Sequence, residues 1–370
     1  MIGTGDTASD WKGLRCMLMR GGTSKGAYFV ADELPSDLGA RSDLLLRIMG
    51  SPDPRQIDGV GGGHPLTSKV AVVSPSTRPD ADVDYLFLQV VVDRAEVSAN
   101  QNCGNLLAGV GPFAVERGLV SPGRSHADVR IHMVNSGSVA TARFPIVGGR
   151  VCYDGDTAID GVPGTAAGIS IAFADTAGST CGHLLPSGNT VDTIDGVPVT
   201  CIDNGMPVVL AKAADLGVTG TETPDELEAD TALAARVAGI RAAAGKLMGF
   251  DDVTELTVPK VTLVSEATAG GALNTRTFIP VRCHTSIGVL GAVTVATAAR
   301  IPGTVAHEVS SLAGDTVRIE HPTGFFDCEI VTAADDVTSV TRSAVIRTAR
   351  KLFDGTVFPG PARSAAEGAP

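Results

Sequence analysis

A cysteine set among asparagines and a glycine has the surroundings of a reactive thiol. Cys103 lies in the segment NQNCGN, directly before an apolar helical pattern that runs to Arg117. Asn102 is a good cap for such a helix, and Cys103, Gly104 and Asn105 would then occupy its first turn. Unpaired N–H groups and the positive end of the helix dipole bind a carboxylate there and favour a thiolate. The alternative is a buried structural cysteine beside a capped helix.

A lysine at the mouth of an apolar strand is the second candidate. The segment DGVGGGHPLTSKV, residues 58–70, places Ser68 and Lys69 directly before VAVV, and Ser68 is a candidate substrate ligand. A lysine so placed can lose its proton through desolvation and act as a general base. No Gly-Lys-Ser/Thr follows the glycines and a strand follows the segment, so neither a Walker A loop nor a dinucleotide fingerprint is present. A solvated lysine at a strand start is the simpler alternative.

Hydrogen-bond donors also crowd around a double glycine in MRGGTSKGAYFV, residues 19–30. Such a loop suits a polycarboxylate, because an arginine can hold a carboxylate through two parallel hydrogen bonds. A plain β-turn is the alternative. The candidate ligands of this loop are Arg20, Thr23, Ser24 and Lys25.

The second half of the chain carries a further set of polar residues before a second apolar helical pattern. A Cys–His dyad is not expected there, since adjacent residues of an extended segment point in opposite directions. Isolated histidines at 64, 132 and 183 lack metal-ligand spacing, so no metal site is predicted. The candidate substrate ligands of this half are Asn204, Arg276, Cys283, His284, Ser286 and Ile287.

Composition limits the functions that these residues can serve. Acidic residues outnumber basic ones by 41 to 29 among 370 residues, a net charge of −12 that disfavours nucleic acids and anionic membranes as partners. The seven cysteines contain no C-x-x-C pair, and the N-terminus has no apolar leader segment. We therefore expect a cytoplasmic protein without structural zinc or disulfides.

The elements that must position the candidates are many short strands and a few helices. β-branched segments interrupted by Gly, Pro or Asn predict strands over 82–97, 128–144 and 315–331, the last as a hairpin. A helix near 224–248 is signalled by Thr223 as cap, Pro224 at its first position and Glu226 completing a capping box.

Two further helices, over 103–117 and 286–300, are apolar nearly all round and must be buried on every side. Each starts close to a cysteine, about half a chain apart. The pattern predicts two copies of one unit, each a curved sheet around a central helix. We place the boundary within 185–200, giving halves of 1–190 and 191–370, with the last helix expected to pack back on the first half.

Several long motifs resemble the 2-methylaconitate cis-trans isomerase (PrpF) family over nearly the whole chain. The motifs are MRGGTSKGAYF, GSPDPRQIDGVGG, LTSKVAVV, NCGNLLAGVGPFAVERGLV, DNGMPVV and CHTSIGVLGAVTVATA. Within the family the chain is most similar to 4-oxalomesaconate tautomerase, through GSPDPRQIDG, DADVDYLF, QVVVD, QNCGN and TCIDNGMPVVL.

The resemblance implies an α+β, diaminopimelate-epimerase-like fold with two pseudo-symmetric domains, each a barrel-like mixed sheet around a buried helix. It implies catalysis without any cofactor, with Lys69 and Cys103 as the catalytic pair. Cysteine-pair epimerases of this fold have a thiol at both helix starts. Cys283 supplies one here, although its CHTSIG neighbourhood departs from the Cys-Gly-Ser/Thr pattern of those enzymes.

The implied function is a proton shift in 4-oxalomesaconate during the breakdown of gallate- or protocatechuate-type aromatic compounds. Lys69 would be the base and Cys103 would return the proton, or Cys103 would take the base role instead. The partners expected are a small tricarboxylate substrate and a second copy of the chain in a homodimer. Three alternatives remain: isomerisation of 2-methylaconitate or methylitaconate, a two-cysteine epimerase or racemase, and a non-catalytic carboxylate-binding protein.

Overall fold

The chain divides into two units. The structure, a computed structural model, describes residues 13–100, 103–279 and 282–361. The first unit runs up to Ile171 and resumes at Arg347, and the second is Ala172–Ile346. The predicted boundary near residue 190 therefore lies inside the second unit. Among the described residues, a strand rather than the expected last helix returns to the first unit, because 340–357 is rich in the β-branched residues Val, Ile and Thr.

The first unit is a ring of strands. Its elements are β1 (Leu14–Gly21), β2 (Ser24–Val30), α1 (Leu38–Met49), β3 (Lys69–Pro75), β4 (Val83–Val90), β5 (Val97–Ser98), α2 (Gly104–Glu116), β6 (His126–Met133), β7 (Val139–Val147), β8 (Arg150–Val151), most of β9 (Gly168–Phe173) and the part of β17 (Val340–Val357) that follows Ile346. The strands pair in the order β1–β2–β3–β4–β6–β7–β9–β17, and β17 pairs with β1 to close the ring. From β1 to β7 the pairs alternate between antiparallel and parallel.

The helix α2 fills the ring. Every residue from Leu106 to Ala114 is buried, and the helix contacts β1, β2, β3, β4, β6 and β7. The predicted all-round apolar helix is thus confirmed. Its C-cap is Arg117, and Gly118 follows with a positive φ of 70°. Its N-cap is Cys103 rather than Asn102, which lies outside the described residues.

The second unit repeats the pairing pattern of the first. Its elements are β10 (Asp192–Ile194), β11 (Val197–Asp203), β12 (Pro207–Lys212), α3 (Pro224–Ala229), α4 (Thr231–Leu247), β13 (Lys260–Ser265), β14 (Leu273–Phe278), α5 (Val289–Arg300), α6 (Val305–Glu308), β15 (Thr316–His321) and β16 (Gly324–Thr332). From β11 to β16 the pairs again alternate between antiparallel and parallel, and α5 joins the parallel pair β14–β15 as α2 joins β4 and β6. The predicted duplication is visible in this order.

Two predicted helices differ in extent. The capping box of Thr223 and Glu226 is present, but the 224–248 helix is two helices, because Asp230 caps α4 through the N–H groups of Ala232 and Leu233. The second buried helix begins at Val289 instead of residue 286. The residues before it are held by side-chain hydrogen bonds that compete with helical ones.

Candidate active site

Lys69 and Cys103 meet inside the first unit. Lys69 is the first residue of β3 and is 9% exposed; Cys103 is 7% exposed. The Nζ atom of Lys69 donates to Sγ of Cys103 over 3.6 Å and lies 5.2 Å from the ring centroid of Phe87. The two candidates that the sequence places 34 residues apart thus form one buried donor–acceptor pair.

The position of Cys103 is set by the start of α2. Its Sγ accepts the backbone N–H of Leu106 at 3.5 Å, and its carbonyl oxygen accepts the hydroxyl of Tyr85 at 3.3 Å. One turn on, the hydroxyl of Tyr28 donates to the carbonyl of Leu106 at 2.6 Å. Burial, and after it the neighbouring Cys103, raises the pKa of both tyrosines, so their hydroxyls stay protonated and keep donating.

The double-glycine turn between β1 and β2 packs on the same helix start. A Cβ atom on Gly22, whose φ is +52°, would lie 2.2 Å from Oδ1 of Asn105, and one on Gly21 would lie 2.5 Å from the Asn105 carbonyl. The Asn105 amide holds the turn by donating to Oγ1 of Thr23 at 3.1 Å. Only glycines allow this approach, which brings the turn to the start of α2.

The four predicted ligands of this turn, Arg20, Thr23, Ser24 and Lys25, line one cavity of the first unit. Ser24 is 1% exposed, and its hydroxyl has no hydrogen-bond partner among the described residues. The backbone N–H groups of Gly104 and Asn105 precede the first intrahelical bond of α2, in which Leu107 donates to the Cys103 carbonyl. They remain candidate carboxylate donors.

Ser68 does not fit its predicted role. It is fully buried, donates to the carbonyl of Val90 at 2.8 Å and accepts from the Gln56 amide at 2.7 Å. Its single proton is therefore committed to the protein. The residue anchors the loop before Lys69, and the prediction that it binds substrate is not supported by this geometry.

The residues before α5 differ from their counterparts before α2. Gly288, not Cys283, is the N-cap, and the backbone N–H of Cys283 donates to Glu228 at 2.9 Å. Burial raises the pKa of the Cys283 thiol to about 11. The second helix start thus lacks a thiol, which corrects the predicted equivalence of the two cysteines and removes the geometric basis for a two-cysteine epimerase.

His284 and Ser286 bind one another. The Ser286 N–H donates to Nδ1 of His284 at 2.9 Å, and its hydroxyl lies 3.2 Å from Nε2 of His321. Burial, followed by the charge of Lys260, lowers the pKa of His284. The Ser286 N–H is therefore not available to a substrate carboxylate, contrary to our expectation. Ile287 follows as a buried residue.

Asn204 and Arg276 have structural contacts in the second unit. Asn204 is fully buried, and its amide donates to Thr297 at 2.7 Å and Ser343 at 2.9 Å. Arg276 is 7% exposed and donates to the Glu222 carbonyl at 2.6 Å, as well as to neighbouring strand atoms. Neither prediction of a substrate ligand gains support from these bonds.

Three neighbours of the predicted residues were not found by sequence reasoning. They are Tyr85 on the Cys103 carbonyl, Phe87 beneath the Lys69 amine, and Arg350 in the wall of the cavity. The two aromatic residues belong to a strand that alternation predicts. No local motif marks Arg350, because strand pairing alone brings it beside Arg20.

No group of three or more His, Cys, Asp and Glu side chains with the arrangement of a metal site occurs in the described part of the chain. Within the same part, no helix has the length and apolar character needed to cross a membrane.

Known proteins similar to this chain agree on one family. The family model described as PrpF protein matches residues 12–359. A protein of Novosphingobium sp. (strain KA1) named (4E)-oxalomesaconate Delta-isomerase is 59% identical, over 93% of this chain and 96% of its own length. The 4-oxalomesaconate tautomerase of Pseudomonas putida is 56% identical, with the same coverage of both chains. A crystal structure of methylitaconate-delta-isomerase superposes with a TM-score of 0.84 at 37% identity, covering 96% of this chain and 99% of that one.

Proposed function

The chain belongs to the PrpF family and is an isomerase, and we propose that it moves a proton within 4-oxalomesaconate. The observation that carries the proposal is the buried contact of 3.6 Å between Nζ of Lys69 and Sγ of Cys103, beside the start of α2. Relatives named for this substrate at 59% and 56% identity support the choice of substrate.

The reaction starts at the carbon between the keto group and the double bond of the substrate. Both neighbours acidify its protons, so the base needs only modest strength. Neutral Lys69 takes one proton and leaves a dienolate. The Cys103 thiol then gives its proton to the far carbon of the double bond, or to the enolate oxygen, and the double bond moves or the enol forms.

The pair returns to its starting state by one further proton transfer. After the shift, Lys69 is an ammonium and Cys103 a thiolate. The proton crosses the 3.6 Å contact from Nζ to Sγ, and both groups are ready for the next substrate. The number of protons on the enzyme is therefore unchanged by each turnover.

Stabilisation of the dienolate falls to donors at the helix start. The N–H groups of Gly104 and Asn105 lie at the positive end of α2. Preorganised donors of this kind contribute about 3–4 kcal/mol to a developing oxyanion.

The test is proton NMR of the purified protein with 4-oxalomesaconate in D₂O. Deuterium entry with a new vinyl or enol signal, faster than without protein, is the expected result, and the carbon skeleton of the product separates tautomerisation from double-bond migration. Exchange no faster than the background would rule out this substrate.

A second candidate substrate, methylitaconate, is supported by the structural match to methylitaconate-delta-isomerase. The same pair would move a proton between the two allylic carbons of that dicarboxylate. Turnover of methylitaconate, with none of 4-oxalomesaconate, would select this function.

For its setting we propose aromatic catabolism in the cytoplasm, by a homodimer. The substrate named for the relatives supports a place in aromatic catabolism. The cysteine spacing of the sequence supports the cytoplasm. Sedimentation of the purified protein at the mass of one chain would exclude the homodimer.

A further inference from the structure

One cavity of the first unit is built for a negatively charged group. It has a volume of about 470 Å³, within the range of small-molecule sites. Its wall holds the cations of Arg20, Lys25 and Arg350 and one carboxylate, Asp154. The cavity is thus locally positive in a chain whose net charge is −12.

The three cations have no carboxylate partner within residues 13–100, 103–279 and 282–361. Arg20 and Arg350 face each other directly across the antiparallel pair β1–β17. Like charges at such positions repel each other, and burial followed by the charge of Arg350 lowers the pKa of Arg20. A bound anion between them would relieve this repulsion.

The remaining donors also point to a ligand. Nη1 of Arg20 donates to Gly22 and Thr348, whereas its other nitrogens have no acceptor in the described residues. The Ser24 hydroxyl, in the same wall, is buried without a partner among those residues. A buried hydroxyl without a hydrogen bond is costly, and a carboxylate oxygen would accept from it.

The cavity lies within reach of the catalytic pair. Gly26 faces Lys69 in the parallel pair β2–β3, and Ser24 lies two residues earlier on the same face of β2. Two residues of a strand span about 7 Å. An extended tricarboxylate can bridge that distance with its reacting carbons at Lys69.

We propose that this cavity binds the substrate carboxylate most remote from the reacting carbons, and that Arg350 of β17 selects tricarboxylates over dicarboxylates. The inference rests on the proposed function for its substrate. Arg350 acts by binding and positioning, since it lies away from the Lys69–Cys103 contact. The same wall, with one cation fewer, would discriminate less between substrates of different charge.

The test measures binding without turnover. Calorimetry compares propane-1,2,3-tricarboxylate with 2-methylsuccinate, which lacks one terminal carboxylate of the same skeleton, on the wild type, Arg350→Gln and Arg350→Lys. Arg15→Gln, on an exposed arginine of β1, is the matched control. Arg350→Gln should weaken tricarboxylate binding about tenfold or more, as expected for a lost charge-assisted hydrogen bond, and 2-methylsuccinate binding by less than about threefold.

Arg350→Lys should recover part of the loss, because it keeps the charge without the planar pair of donors. Equal binding of both ligands by wild type and Arg350→Gln would overturn the inference, even if 4-oxalomesaconate is turned over. Selective loss in Arg350→Gln, in a protein that does not turn over 4-oxalomesaconate, would support the cavity assignment and reject the proposed reaction.

Discussion

The hydroxyl of Tyr85 donates to the carbonyl oxygen of Cys103, so the residue that carries the thiol is held from β4 as well as from its own helix. The same carbonyl accepts the N–H of Leu107 in the first helical hydrogen bond. The backbone of Cys103 is therefore held in place beside the Lys69 amine. Substitutions here either remove a reacting group or weaken the contacts that position the Cys103 thiol.

Removal of either member of the pair should abolish most turnover. Lys69→Met keeps the aliphatic stem without the amine, and Cys103→Ser replaces the thiol by a far weaker acid. We expect kcat to fall about a hundredfold to ten-thousandfold and KM to change by less than about fivefold. Steady-state kinetics measures this. Lys246→Ala, on the exposed face of α4, and Cys181→Ser should keep wild-type rates.

Deuterium exchange separates the roles of the two residues. With Lys69 as base, Lys69→Met stops exchange of the substrate protons with D₂O, whereas Cys103→Ser still exchanges them but forms no product. The reverse pattern would assign the base to Cys103. Full turnover by both variants would favour a carboxylate-binding protein whose apparent activity arises elsewhere.

Tyr85→Phe should lower the free energy of unfolding by about 1 kcal/mol, because one buried hydrogen bond is lost while the Cys103 carbonyl keeps its helical partner. Urea denaturation measures the change. Tyr28→Phe removes an equivalent bond to the Leu106 carbonyl and should cost a similar amount. A drop in kcat for Tyr85→Phe alone would show that the tyrosine positions Cys103, and equal kcat values for both variants would deny it that role.

Gly22→Ala tests the turn on Asn105. The new Cβ would displace the Asn105 side chain, and the alanine would have an unfavourable positive φ. We therefore expect the free energy of unfolding to fall by about 2–3 kcal/mol and KM to rise. Gly148→Ala is the control, because that glycine also has a positive φ but nothing within 4 Å of its Cβ position. It should cost about 1 kcal/mol and leave KM unchanged. Equal losses in both variants would mean that Asn105 does not depend on the turn.

Alkaline pH should destabilise the fold through its buried thiols. Burial raises the pKa of Cys201 to about 12 from an ordinary 9.0, so this thiol contributes its full stability below pH 9. Above pH 9 the unfolded chain ionises first, and stability falls as the pH rises towards 12. Cys201→Ala should flatten the decline by up to about 1.4 kcal/mol per pH unit in urea titrations. Burial also raises the pKa of Cys16 to about 12, so Cys16→Ala should have the same effect. Equal declines in stability with pH for the wild type and both variants would contradict the prediction.

The sequence predicts most features that depend on neighbouring residues and fewer of those that depend on pairing between distant strands. The capping box at Thr223, the hairpin after His321 and the buried helix after Cys103 each depend on neighbouring residues, and all are present. Asp230 was missed as a helix break because its capping competes with an otherwise helical pattern. Arg350 could not be found, since only the β1–β17 register places it beside Arg20.

The second helix start shows the same limit. A cysteine near each helix suggested equivalent sites, but hydrogen bonds of Glu228 and His284 hold residues 283–286 outside the helix. The Glu228 carboxylate belongs to α3, and the His284 ring competes locally for a backbone N–H group. Neither hydrogen bond can be predicted from the spacing of apolar residues.

Closure of the first unit by its last strand has a consequence for synthesis of the protein. Leu14 pairs with Val357, so the ring around α2 is incomplete until β17 has been synthesised. Until then β1 exposes an unpaired edge, and the cavity lacks Arg350 and Thr348. A nascent chain that stops before β17 therefore carries Lys69 and Cys103 without a closed ring, and the candidate site is complete only once β17 has paired with β1.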